Sequence, residues 1–134
     1  MTIWIGATIG AAVTAFLMGG FWYGFLFARQ AAALSPAYAE VAAMSGMTVL
    51  FEFIRCLALA TALAILIRWT GLQSVQHALV LALLVWAGFQ AAGLAGAVLH
   101  EGYPASLYAI HAGDALVKAL VAAAMIFVVT SRFA

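Results

Sequence analysis

Two acid–base pairs stand inside otherwise apolar stretches: Glu52 with Arg55, and Asp114 with Lys118. Each Asp, Lys or Arg at mid-helix costs about 2.5 to 3.5 kcal/mol to insert in a membrane, so by default it marks a working site or a place where helices are held together. Four such groups facing lipid would cost on the order of 10 kcal/mol. They are therefore expected to face each other or a wet cavity. The chemistry open to such a layer is proton exchange or the holding of a small solute, because a buried carboxylate can take up a proton or a cation.

Helical spacing groups other side chains with these pairs. At about 100° per residue, Ser45, Thr48, Glu52, Arg55 and Cys56 share one broad sector, which leaves Leu50, Phe53 and Leu57 to meet lipid. His111, Asp114 and Lys118 share a sector of about 60°, so Asp114 is expected to pair with Lys118 at i, i+4 and to be within reach of His111 at i, i+3. Gln90 is the strongly polar side chain in the middle of the third apolar stretch. Counted from one end of these helices, Glu52, Arg55, Gln90, Asp114 and Lys118 lie roughly 10 to 20 Å deep at 1.5 Å per residue. With His111 they form the candidate solute or proton site. Glu52 and Arg55 are expected to reach groups on the third or fourth helix.

The elements that must position these groups follow from composition. Of the 134 residues, 69% are hydrophobic and 7% charged, against about 25% charged in an ordinary soluble domain. A soluble fold could not hide that much apolar surface. A bilayer core of about 30 Å takes about 20 helical residues to cross, and four runs qualify, at residues 3–28, 46–69, 77–99 and 105–130. The expectation is an all-α, polytopic integral membrane protein, with four transmembrane helices bundled into a single domain over residues 1–134. The first run lacks a basic leader and exceeds the roughly 7 to 15 apolar residues of a signal core, so it is expected to stay as a helix.

Loops and termini carry weaker signals. Arg68 and Arg132 end helices on one side, against Arg29 with Glu40 and Glu101 on the other, which favours both termini in the cytoplasm. Ser35 and Pro36 have the residue types that start a short interfacial helix. Net charge is +1 with no basic run, so nucleic acid is not an expected partner. The single Cys56 excludes an internal disulfide and reads as a small apolar filler.

Glycines and aromatics suggest how the helices meet. Gly6, Gly10, Gly20 and Gly24 fall within about 80° on a helical wheel, as two small-xxx-small pairs expected to pack on another helix, in the same chain or a neighbouring copy. Gly88, Ala92 and Gly96 form a similar row. Trp22 and Tyr23 read as interfacial anchors. There is also a trace of duplication: GGFWYG at 19–24 echoes AGFQAAG at 87–93, and Glu52, Arg55, Arg68 parallel Asp114, Lys118, Arg132. Such halves would be related by a pseudo-twofold along the membrane normal.

Catalytic signatures are absent, with no GxSxG, HExxH, P-loop or CxxC. His77, His100, Glu101 and His111 are metal-capable but irregularly spaced, so no metal or cofactor is expected. The segment GGFWYGFLF at 19–27 resembles the G-x-WY pattern closing the first helix of the small bacterial membrane proteins grouped as domain of unknown function 1761. SLYAIHAGDALVKALVAAAMI at 106–126 resembles that family's final helix. The resemblance spans the chain and implies four helices in a bacterial inner membrane, with no activity attached. This chain departs at Gly24, where a serine often follows the WY pair, and at Asp114 and Lys118, to which the resemblance assigns no role. Three readings stand: a layer that binds or conducts a small solute or proton, a structural or assembly subunit of a homo-oligomer or larger membrane complex, and a membrane-embedded enzyme. Membrane lipids are partners in all three.

Overall fold

Long runs of Ala, Leu, Ile and Val wind into helix because a backbone in an apolar medium must satisfy its own hydrogen bonds, and the chain has only two prolines to interrupt them. In a computed structural model, which describes residues 1–35 and 45–134, α1 (Thr2–Phe21) runs directly into a π-helical turn, Trp22–Leu26. The short α2 (Ala28–Leu34) and the long α3 (Gly46–Thr70) follow. Next, α4 (Val75–Val85), a second π turn (Trp86–Ala91) and α5 (Ala92–His100) form one continuous span. The last helix is α6 (Ala105–Phe133). Among the described residues there is no strand. Four helical spans, Thr2–Leu26, Gly46–Thr70, Val75–His100 and Ala105–Phe133, are long and apolar enough to cross a membrane, as a multi-pass membrane protein requires.

Local chemistry sets the helix ends. Ser45 and Ser74 cap α3 and α4, their hydroxyls accepting from the backbone N–H of Thr48 at 3.2 Å and of His77 at 3.3 Å. Gly71, at φ +59°, ends α3 in the left-handed conformation that costs glycine least. Ser35 closes α2 in an extended conformation, φ −151° and ψ 128°, because a residue before proline is pushed out of the helical region, and the helix expected to start from Ser35 and Pro36 falls on residues outside those described. Pro36 and Glu40 lie outside the described residues.

The helix α6 is central: α1 lies along it, and α3 and α4 pack on it as well, whereas α3 and α4 scarcely touch each other. A twofold relating the halves would make the packing of the third span on α3 equivalent to that of α1 on α6. It is not, so the duplicated text does not produce duplicated architecture. The core is built largely of alanines, Ala11, Ala12, Ala60, Ala78, Ala82, Ala119, Ala122 and Ala123, with Leu63 and Ile126 filling between them. Small side chains let helix axes approach closely, which is how helices associate where hydrophobic burial against lipid gains nothing.

Alanine packing corrects one sequence expectation and narrows another. On α3 the buried face is Cys56, Ala60, Leu63, Ala64 and Ile67. Phe53 and Leu57 are drawn inward with it: Phe53 meets Phe16 edge-on at 5.8 Å, and Leu57 packs on the core. Glu52 is left at the edge of that face and Arg55 outside it, about 100° from Cys56. On α1 the inward row is Ala7, Ala11, Ala15 and Gly19. A Cβ placed on Gly6, Gly10, Gly20 or Gly24 would meet nothing within 4 Å, and the same holds for Gly88 and Gly96. Within the chain those glycines are not the packing face.

Candidate functional site

The most buried charges lie on α6. Lys118 Nζ donates to Asp114 Oδ2 at 2.7 Å, with the side chains 10% and 11% exposed, respectively. Their i, i+4 spacing places them one above the other on the same helix face. The neighbouring α1 makes room for them at Gly19, where an added Cβ would lie 2.6 Å from Lys118 Nζ and 2.9 Å from its Cε. Gly19 therefore lets the lysine lie flat against the α1 backbone, and no larger residue fits without moving it.

Above the pair, away from the Arg68 end, aromatic residues tie the first and third spans to α6. Trp22 donates its indole N–H to the Ile110 carbonyl at 3.1 Å, and Trp86 donates to the Ala112 carbonyl at 2.8 Å. A carbonyl has two lone pairs, so each can accept an indole and keep its helical bond. Gly113 gives Trp22 its seat: a Cβ there would lie 3.0 Å from the indole ring. Tyr108 donates to the Ala91 carbonyl at 3.3 Å. Both tryptophans begin a π turn with the same text, W-x-G-F at Trp22–Phe25 and at Trp86–Phe89. Such turns inside longer helices occur often at functional sites. The internal similarity thus has a structural meaning, but in a register shifted from the one read in the sequence and with both copies converging on α6.

His111 lies between these tryptophan anchors. Its Nδ1 is hydrogen-bonded to the Tyr23 hydroxyl, and its ring lies against those of Tyr23 and Tyr103, at 5.3 Å and 5.8 Å between centroids. It thus reaches across to the first span rather than along its own helix to Asp114. Burial pushes the Tyr103 phenol, in the loop before α6, above its ordinary pKa. Glu52 and Arg55 are near enough to act electrostatically on both His111 and Asp114. Their direct bond, however, is to each other, Arg55 Nη1 to Glu52 Oε1 at 2.6 Å, and it is far more open, with Arg55 76% and Glu52 37% exposed. The expected hydrogen bonds from Glu52 and Arg55 to the third or fourth helix are absent among the described residues.

Gln90 sits in the second π turn with its Oε1 buried and without a hydrogen-bond partner among the described residues. His77 bonds Ser74 beside the α4 cap, and His100 and Glu101 are exposed. No three His, Cys, Asp or Glu side chains come together as metal ligands among the described residues. Gly19, Trp22, Tyr23 and Tyr103 belong to the cluster although spacing arguments did not select them, and Trp86, which helical spacing puts on the face of Gln90, joins them. The one sequence signal that could have found two of them is the repeated W-x-G-F.

No curated protein and no solved structure matches the chain. A family model, described as "Protein of unknown function (DUF1761)", matches residues 6–127, which hold both W-x-G-F turns and all four charges of the layer. The chain is a member of that family.

Proposed function

We propose that the protein binds a proton or a small polar ion through the layer formed by Glu52, Arg55, His111, Asp114 and Lys118, entering from the end of the bundle that bears Tyr103. The observation that carries this reading is the graded exposure of the charges: Arg55 76%, Glu52 37%, then Asp114 11% and Lys118 10%. The exposed Glu52, the half-buried His111–Tyr23 pair and the buried Asp114 make a descending series of proton-exchanging groups, with Glu52 in electrostatic reach of both His111 and Asp114 and Arg55 as a fixed positive charge among them. Below Lys118 the interior is filled by Ala11, Ala12, Ala60, Leu63, Ala119 and Ala122. This supports a site reached from one side and argues against an open path through the bundle. The test is reconstitution in liposomes under a pH or cation gradient. Wild type should take up or move the ion, and Asp114→Asn, which mimics the protonated acid, should stay folded and lose the effect. Unaltered flux in Asp114→Asn, or none in wild type across a broad solute panel, overturns the reading.

A second reading, an assembly module, is favoured by a separate observation. The Asp114–Lys118 pair is closed on itself against Gly19, while the Gly6, Gly10, Gly20 face of α1 lies open for a second copy of the chain. In this reading Gly20→Leu leaves helix content unchanged and lowers the oligomer size measured in nanodiscs.

A further inference from the structure

At the Arg68 end of the bundle a groove of about 420 Å³ opens between α1 and α3, on the other side of Leu57 from the charged layer. That volume is in the range of small-molecule sites, about 300 to 1,000 Å³. Its wall is apolar, formed mainly by Ile5, Ile9, Leu57 and Ile65. Thr8 also lines it, but its hydroxyl donates to the Trp4 carbonyl of its own helix at 2.8 Å and so is already satisfied.

One end of the groove is different. Arg68 lies at the rim with its guanidinium carbon 5.9 Å from the centre of the Trp4 ring. Among the described residues no carboxylate pairs with it: Glu52 and Asp114 are taken by Arg55 and Lys118, and Glu101 follows α5 at the opposite end. From Leu57 to Arg68 the groove follows α3 for about 16 Å at 1.5 Å rise per residue. That is about half of a hydrocarbon core of about 30 Å, the depth of one leaflet. A slot one leaflet deep, apolar along its length and ending in an unpaired cation beside an aromatic ring, is complementary to an amphiphile with an acyl tail and a negative head.

We infer that this groove holds one anionic phospholipid, its acyl chain along Ile9, Leu57 and Ile65 and its headgroup phosphate on Arg68. The guanidinium fork matches two phosphate oxygens, and Trp4 holds the fork over the mouth of the groove. Basic positions between helices at the membrane surface select anionic over zwitterionic heads by charge. The site does not depend on the ion-binding reading of the charged layer.

The test is native mass spectrometry of the full chain released from micelles containing equal amounts of phosphatidylglycerol and phosphatidylcholine. Wild type should retain one phosphatidylglycerol per chain, several-fold over phosphatidylcholine. Arg68→Gln should bring the two lipids to parity, and Thr61→Phe, which fills the groove, should lower retention of both. Arg132→Gln removes the cation that ends α6 at the same face of the membrane, outside the groove, and should leave the preference intact. If Thr61→Phe does not fold, the two arginine variants decide. The inference is overturned if wild type shows no preference, if Arg68→Gln keeps it, if Arg132→Gln abolishes it equally, or if a second copy of the chain occupies the groove instead of lipid.

Discussion

Asp114–Lys118 and Glu52–Arg55 are nearly the same pair twice: an acid, a base three or four residues on, and an N···O distance of 2.7 or 2.6 Å. They differ in what surrounds them. The first is pressed between α6 and the bare backbone of Gly19, and the second leans off the edge of α3 with Arg55 largely exposed. A short distance alone therefore says little about consequence. In a buried pair each charge depends on its partner, because neither has another source of solvation, whereas a pair open to water from the Tyr103 end exchanges partners freely and contributes about 0 to 1 kcal/mol.

The largest expected effect comes from this difference. Lys118→Met leaves the Asp114 carboxylate buried without its partner and should cost about 3 to 5 kcal/mol, measured by denaturant unfolding in micelles. Adding Asp114→Asn to the same chain should recover a large part of that loss, since removing both charges ends the mismatch. Arg55→Gln, measured alongside, should change stability by about 1 kcal/mol or less. If Arg55→Gln costs as much as Lys118→Met, the two pairs are energetically alike and burial is not what separates them.

A smaller effect is expected at Gly19. Gly19→Ala places a Cβ 2.6 Å from Lys118 Nζ, so the flexible end of the lysine must shift against Asp114, at about 1 kcal/mol. The cost should shrink when Lys118 is already Met, a coupling that a double-mutant cycle reads directly. Equal costs in both backgrounds would mean that Gly19 serves the helix contact and not the lysine.

The same contrast explains what the sequence could carry. Long apolar runs decide the four spans, and i, i+4 spacing decides that Asp114 meets Lys118, because both are local properties of one helix. Rotation of α3 is not local. It is set by the fit of Cys56, Ala60 and Ala64 against α1 and α6, and a wheel drawn on polarity puts Phe53 and Leu57 on the wrong side. Gly19 is hidden because the row Ala7, Ala11, Ala15, Gly19 is as small and bland as the glycine row beside it. The π turn at Trp86–Ala91 adds a residue inside its span and rotates α5 by about 100° off a regular wheel, and the one at Trp22–Leu26, which ends the first span, is itself wound off that wheel. A wheel continued through Trp22 therefore misplaces Gly24. The bonds from Trp22 and Tyr23 to α6 join residues 88 positions apart, and no spacing rule within one helix reaches that far.

The most direct test of ion binding is the protonation of Asp114 itself. Infrared difference spectra of the reconstituted protein across a pH step should show a carboxyl C=O band that disappears in Asp114→Asn and persists in Glu52→Gln. A site reached from the Tyr103 end predicts that this band shifts promptly on transfer to D₂O. A spectrum in which Asp114 never changes protonation while the protein stays folded would contradict it, and would leave the pair as a structural clamp between α6 and α1.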